Sequence, residues 1–158
     1  MHIREIAIKD NRIMEQIIKR SLEEFQLDIP GTAYFDPELG RLAQYYQQKK
    51  AAKYWVLVTN QDEVVGGVGI APYDTKKGVC ELQKLYLSKE VQGKGQAKRL
   101  MDTALQFAEK HYTYCYLETM DIMENANRLY KKYEFELLEK PLSGSIHHTM
   151  DAWYLKKL

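Results

Sequence analysis

Cysteine is scarce in this chain: Cys80 and Cys115 are the only two among 158 residues. They show no metal-ligand spacing and no secretory context, so they read as reduced, buried side chains rather than a disulfide framework or a metal site. Charge of one sign is missing too. Lys and Arg number 23 against 22 acids, a formal net charge of +1. That balance argues against nucleic acid or a membrane as partner, and the Lys and Arg side chains read as solvated helix faces. No apolar run approaches the roughly 20 residues of a membrane span. The opening MHIREIAIKD has no apolar segment of a signal peptide, so a cytoplasmic location is expected. Repeats, low-complexity tracts and linkers are absent as well. What remains, 45% apolar and 28% charged, is an ordinary globule, read as a single domain over residues 1–158 acting as a monomer or homodimer.

Hydrophobic periodicity lays out the elements. Ile3 to Ile8 alternates as a first strand. Asp10 or Asn11 then caps a helix with Ile13, Ile17, Ile18, Leu22 and Phe25 on one face. Pro30-Gly31 marks a turn in the loop Leu27 to Phe35, and Asp36-Pro37 opens a second helix striped by Leu39, Leu42, Ala43 and Tyr46. Tyr54–Thr59 and Val64–Ala71 form a hairpin about a polar turn. Gly66, Gly67 and Gly69 mark places where a neighbour or a ligand comes close to the sheet. Later strands are expected at Tyr114–Glu118, Phe135–Glu139 and Met150–Leu155, with a helix over Glu124–Tyr133. The sum is an α+β plan with a mixed sheet.

The stretch Cys80 to Met101 carries the chemistry. It begins as a strand with Leu82, Leu85, Tyr86 and Leu87, and ends as an amphipathic helix with Leu100, Met101, Ala104, Leu105 and Ala108. Between them lies Gln92-Gly93-Lys94-Gly95-Gln96-Ala97. Glycines at a strand-to-helix turn free the backbone N–H groups to point outward. The first helical turn brings Lys94, Lys98 and Arg99, and no acid precedes Asp102. Extra positive charge at a helix start that is already positive suits a bound phosphate. The dinucleotide fingerprint fails because Lys98 stands where a third small residue belongs, and the Walker loop fails because Gly95 follows Lys94.

Gln92, Gly95 and Ala97 instead fill a Gln/Arg-x-x-Gly-x-Gly/Ala pattern. With the Leu-Tyr-Leu strand before it and the long helix after, the stretch resembles the pyrophosphate loop of the GNAT superfamily of acetyl-CoA-dependent N-acetyltransferases. Ala126, Leu129, Tyr130 and Phe135 match that superfamily's Ala-x-x-Leu-Tyr-x-x-x-Gly-Phe block, with Glu134 in place of the glycine. The resemblance covers nearly the whole chain and is strongest over Cys80–Phe135. It implies a twisted, mostly antiparallel sheet of about seven strands with about four helices, the fourth and fifth strands parallel and splayed. Acetyl-CoA, as co-substrate, would be held through Leu85, Tyr86 and Leu87, through Gln92, Gly93, Lys94, Gly95, Gln96, Ala97 and Lys98, and through Asn125. No metal is called for.

Amine acetylation needs a neutral amine, a donor for the tetrahedral oxyanion and a proton for the leaving thiolate. The resemblance implies direct attack, and the sequence agrees in that neither cysteine has a nucleophile's surroundings. Tyr130 is the expected acid: a phenol of pKa roughly 10 matches an alkyl thiolate. Glu81 is the expected base, with Glu118 its rival. The acceptor, a small-molecule or peptide amine, is expected between the loops Ile29–Phe35 and Pro141–His148, touching Tyr34, Phe35, Glu118 and His147. Acids in that wall favour a cationic acceptor. A non-catalytic acyl-CoA sensor is the alternative from another class, and retention of Tyr130 favours the enzyme.

Overall fold

The computed structural model describes residues 1–158. The chain runs β1 (His2–Glu5), α1 (Asn11–Glu24), α2 (Leu42–Gln47), β2 (Lys53–Val58), β3 (Val64–Asp74) and β4 (Val79–Leu87). It continues with α3 (Gln96–His111), β5 (Tyr114–Thr119), α4 (Glu124–Lys132), β6 (Glu136–Leu138) and β7 (Ala152–Lys157). The strands make one seven-stranded sheet in the order β1-β2-β3-β4-β5-β7-β6. Only β4 and β5 are parallel; every other pair is antiparallel. This is the expected α+β sheet, with four α-helices over it.

Both faces of the sheet are buried, and the alternation of β2 shows how. Trp55 and Leu57 join the core under α3, with Leu100, Met101, Ala104, Leu105 and Ala108. Tyr54, Val56 and Val58 join the core under α1 and α2, with Met14, Ile18, Leu22, Leu42 and Tyr46. Gly67 and Gly69 are required by this second core: an added Cβ would stand 2.5 Å from the Tyr54 ring or 2.6 Å from the Tyr46 hydroxyl. The close neighbours that those glycines admit are aromatic rings of the chain itself.

Several boundaries differ from the sequence reading, each for a local reason. β1 ends at Glu5, because the Asp10 carboxylate turns back to accept from the Ala7 N–H at 2.7 Å and from Arg4. The same commitment keeps Asp10 from capping α1 with its side chain. Met14 takes the core position expected of Ile13, which is 43% exposed, and Phe25 lies past the helix end, also exposed. No α-helix starts at Asp36-Pro37. A 3-10 turn at Leu39–Arg41 leads into the short α2, since the Asp36 carboxylate is used elsewhere. β3 runs on to Asp74 through Pro72, tolerated where the register with β4 shifts. α4 ends on Glu134 at φ +64°, the left-handed position that glycine usually fills.

Candidate active site

The parallel seam sets the site. β4 pairs with β5 at Val79↔Tyr114, Cys80↔Cys115 and Glu81↔Tyr116, and no further. Beyond Glu81, β4 follows β3 to Leu87, while β5 follows β7 to Thr119. The strands part, and a cleft opens between them. Its apolar wall is Leu82, Leu85, Met123, Ala126, Tyr130 and Met150; its polar wall is Glu81, Gln83, Lys84, Glu118 and His147.

A bulge in β4 steers the opening. Gly69 pairs with Gln83 but Gly67 pairs with Tyr86, so Lys84 and Leu85 together face Val68. Lys84 adopts φ +52°, uncommon for a residue with a side chain. It is held there from both ends. The Tyr54 hydroxyl donates to the Lys84 carbonyl at 2.7 Å. The Lys84 ammonium donates to Asp36 Oδ2 at 2.7 Å and to Glu38 Oε1 at 3.4 Å. Burial works against this ammonium, but the two carboxylates overcome it and hold its pKa above the ordinary lysine value. The other Asp36 oxygen lies 2.7 Å from His147 Nε2.

Glu81 sits where the seam ends. Its Oε1 accepts from Gln83 Nε2 at 2.5 Å, and Gln83 Oε1 accepts from the Tyr46 hydroxyl at 2.6 Å. Burial raises its pKa, opposed by the Gln83 bond and helped by the charge of Glu118. Glu118 Oε2 in turn accepts from the Tyr116 hydroxyl at 2.7 Å. Across the cleft, Tyr130 is 6% exposed and packs against Phe135 and Tyr154. Its hydroxyl bonds to no protein atom. Ser88 Oγ is the only fully buried side-chain polar atom left without a partner, so the Tyr130 oxygen opens to the cleft. Burial raises its pKa, which keeps the proton on the phenol.

From its C-terminal end, β4 leads through a 3-10 turn, Lys89–Val91, to the start of α3. Gly93 and Gly95 have φ +72° and +76°, and a Cβ on either would meet nothing within 4 Å. Backbone conformation, not crowding by the chain, demands glycine here. The N–H groups of Gly93, Lys94, Gly95, Gln96, Ala97 and Lys98 find no backbone or side-chain acceptor; the next, Arg99, reaches the Gly95 carbonyl at 3.4 Å. The first turn of α3 holds no acid. Two side chains of the loop brace it from behind: Gln92 Nε2 donates to the Leu87 carbonyl at 3.0 Å, and Lys94 Nζ to the Glu90 carbonyl at 2.8 Å.

The residues singled out in the sequence do not all meet. Glu81, Leu85, Tyr86, Glu118, Tyr130 and His147 line the cleft. Tyr34 and Phe35 do not; Ala33 lines it in their stead. The Tyr34 hydroxyl donates to Glu23 at 2.7 Å on the outside of α1, and Phe35 is 59% exposed beside it. Asn125 points away from the cleft and accepts from Arg128. Gln83 and Lys84 escaped the sequence reading, which took Asp36 for a helix cap and an acid of the acceptor wall, not for the partner of Lys84. A signal for Lys84 was present: alternation at Cys80 and Leu82 resumes one residue out of phase at Leu85 and Leu87, which is what a bulge does to a strand.

A parallel pair that parts, a glycine turn with a row of bare amides, and a mixed seven-stranded sheet are the features that the resemblance to the GNAT superfamily implies. The comparisons agree. The model of the acetyltransferase (GNAT) family matches residues 15–135. The chain is 36% identical over 159 residues to the uncharacterized N-acetyltransferase YjgM of Escherichia coli K12, covering 99% of this chain and 94% of that one. Among solved structures, a GNAT-family acetyltransferase from Staphylococcus aureus Mu50 superposes with a TM-score of 0.84 at 20% identity, covering 99% and 98% of the two chains. The PaiA N-acetyltransferase of Thermoplasma acidophilum, solved with coenzyme A, gives 0.77 at 18% identity, covering 99% and 98%. The chain belongs to the acetyltransferase (GNAT) family and is an acetyl-CoA-dependent N-acetyltransferase.

Proposed function

We propose that this enzyme acetylates a primary amine, carried by a small molecule or a peptide, by direct attack on acetyl-CoA. The observation that carries this reading is the opened β4–β5 seam with Tyr130 beside it, followed along the chain from β4 by the bare amides at the start of α3. The amides from Gly93 to Lys98 hold the pyrophosphate, which supplies the charge that the acid-free helix start calls for. The pantetheine arm lies along the unpaired edge of Leu85 to Leu87 and satisfies backbone groups that β5 leaves open. Tyr130 gives its proton to the departing thiolate.

The acceptor enters from the opposite end, past Glu81, Glu118 and His147. Four acids stand at or behind this wall, Glu81, Glu118, Asp36 and Glu38, against Lys84 and His147. The balance favours an acceptor that is itself a cation when it arrives. The test is thiol release from acetyl-CoA over a panel of monoamines, diamines, amino acids and peptide amines. Release with cationic amines and weak or no release with amino acids supports the reading. A protein that binds acetyl-CoA and releases no thiol with any amine is a sensor.

A further inference from the structure

The transfer needs a proton acceptor for the incoming ammonium, and the two cleft carboxylates each give an oxygen to a fixed donor: Glu81 to Gln83, Glu118 to Tyr116. His147 is different. It comes from the loop between β6 and β7, lines the same cleft, and is partly exposed, with a side-chain accessibility of 19%. Its Nε2 lies 2.7 Å from Asp36 Oδ1, while its Nδ1 bonds to no protein atom and is not sealed in. Asp36 is 7% exposed and anionic, because its other oxygen takes the Lys84 ammonium at 2.7 Å. A buried carboxylate that accepts from Nε2–H fixes the neutral ring with its lone pair on Nδ1. The loop is pinned over the cleft by further bonds: Thr149 Oγ1 donates to the Pro30 carbonyl at 2.6 Å, and the Thr149 N–H to the Gly31 carbonyl at 3.2 Å.

We infer that His147, oriented by Asp36, takes the proton from the acceptor ammonium in the reaction given under Proposed function, on which this inference rests. The protons balance as follows. The ammonium gives one proton to Nδ1, and the free amine forms a C–N bond to the thioester carbonyl carbon. Collapse of the tetrahedral adduct breaks the C–S bond. The thiolate takes the Tyr130 proton, the nitrogen's second proton restores the phenol, and the imidazolium releases its proton to water. Asp36 acts through His147 and is a positioning residue. The charged and titratable groups around the ring are Asp36, Lys84 and Glu81, with Glu38 behind Lys84, Glu118 and Tyr130 across the cleft, and His148 beside it. Burial disfavours the imidazolium, but the bond and charge of Asp36 outweigh it, so the ring titrates above the ordinary histidine value.

Two measurements test this. In kinetics with the best amine of the panel, log kcat/KM should rise with pH through the His147 titration. His147→Gln should lose about 10²-fold at neutral pH and lose that rising limb, with acetyl-CoA affinity and melting temperature kept. Asp36→Asn should move the limb to lower pH, and it carries the kinetic test if His147→Gln does not fold. Glu81→Gln should retain the limb. In long-range ¹H–¹⁵N spectra of the wild type, the neutral His147 ring should carry its proton on Nε2, and its titration midpoint should fall in Asp36→Asn. A His147→Gln enzyme with the wild-type pH profile overturns the proposal, and so does a neutral ring protonated on Nδ1. A wild type that releases no thiol with any amine overturns the transfer reaction itself, while the spectra still decide how the ring is held.

Discussion

The two ends of the proposed site, the loop that opens α3 and the acceptor side of the cleft, treat polar groups in opposite ways. At the start of α3 a run of backbone donors is left without partners, exposed, beside open space. Under the acceptor end nearly every polar atom is committed: Lys84 to Asp36 and Glu38, Asp36 to His147, Gln83 to Glu81 and Tyr46. The difference fits the roles proposed for the two ends. A diphosphate brings permanent charge and many acceptors, so bare amides suffice and are hydrated until it arrives. Proton transfer at the other end needs groups held in one tautomer and one charge state, and buried polar networks do that only when fully paired.

Perturbing each end separately sharpens this contrast, and the largest effects belong to the groups between and beneath. Tyr130→Phe removes only an oxygen that has no protein partner. It should lower kcat by roughly 10²–10⁴ while leaving acetyl-CoA affinity within a few fold. Wild-type turnover with chemistry rate-limiting would make Tyr130 a packing residue. Lys84→Met strands two carboxylates in a site where the lysine side chain is 4% exposed. Breaking a buried ion network should cost about 3–5 kcal/mol of stability by denaturant unfolding, with the acceptor end damaged more than cofactor binding. Equal stability would mean the network is solvated.

Gly95→Glu tests the open end. No atom of the chain lies within 4 Å of the Cβ it adds, so the left-handed backbone, roughly 1 kcal/mol, is the main cost to folding. A bound diphosphate would meet both the bulk and the charge. The acetyl-CoA dissociation constant should rise tenfold or more by calorimetry, on the order of 1.4 kcal/mol. The smallest effect belongs to the double change Tyr34→Ala, Phe35→Ala. These rings lie outside the cleft; Tyr34 loses its exposed bond to Glu23, its contact with the Lys19 ammonium and its partial packing on the core under α1. Stability should fall by about 1 kcal/mol or less, with the order of preferred amines unchanged. A reordered amine panel would bring that loop back into the acceptor wall.

How legible this was in the sequence differs between the same two ends. The open end is local: glycines, a missing acid and a strand-to-helix turn lie within a few consecutive residues, and backbone amides need no partner from elsewhere. The paired end is assembled from Asp36, Lys84 and His147, which are separated by 48 and 111 positions from Asp36. Only the fold brings them together. Asp36-Pro37 looked like a helix start because a capping aspartate and a network aspartate are the same residue type. Tyr34 and Phe35 looked like a wall because loop aromatics often are; here they clothe the outside of α1. The sheet was readable because alternation and apolar runs report burial on either face, as in β2 and β4.

The central claim is that the bare amides from Gly93 to Lys98 are the diphosphate cradle. Amide chemical shifts of ¹⁵N-labelled protein titrated with coenzyme A test it most directly. The account predicts that Gly93, Lys94, Gly95, Gln96, Ala97 and Lys98 shift downfield together, saturating with the calorimetric affinity, and that Gly95→Glu weakens the whole set. Saturable binding that leaves these resonances unmoved would contradict it.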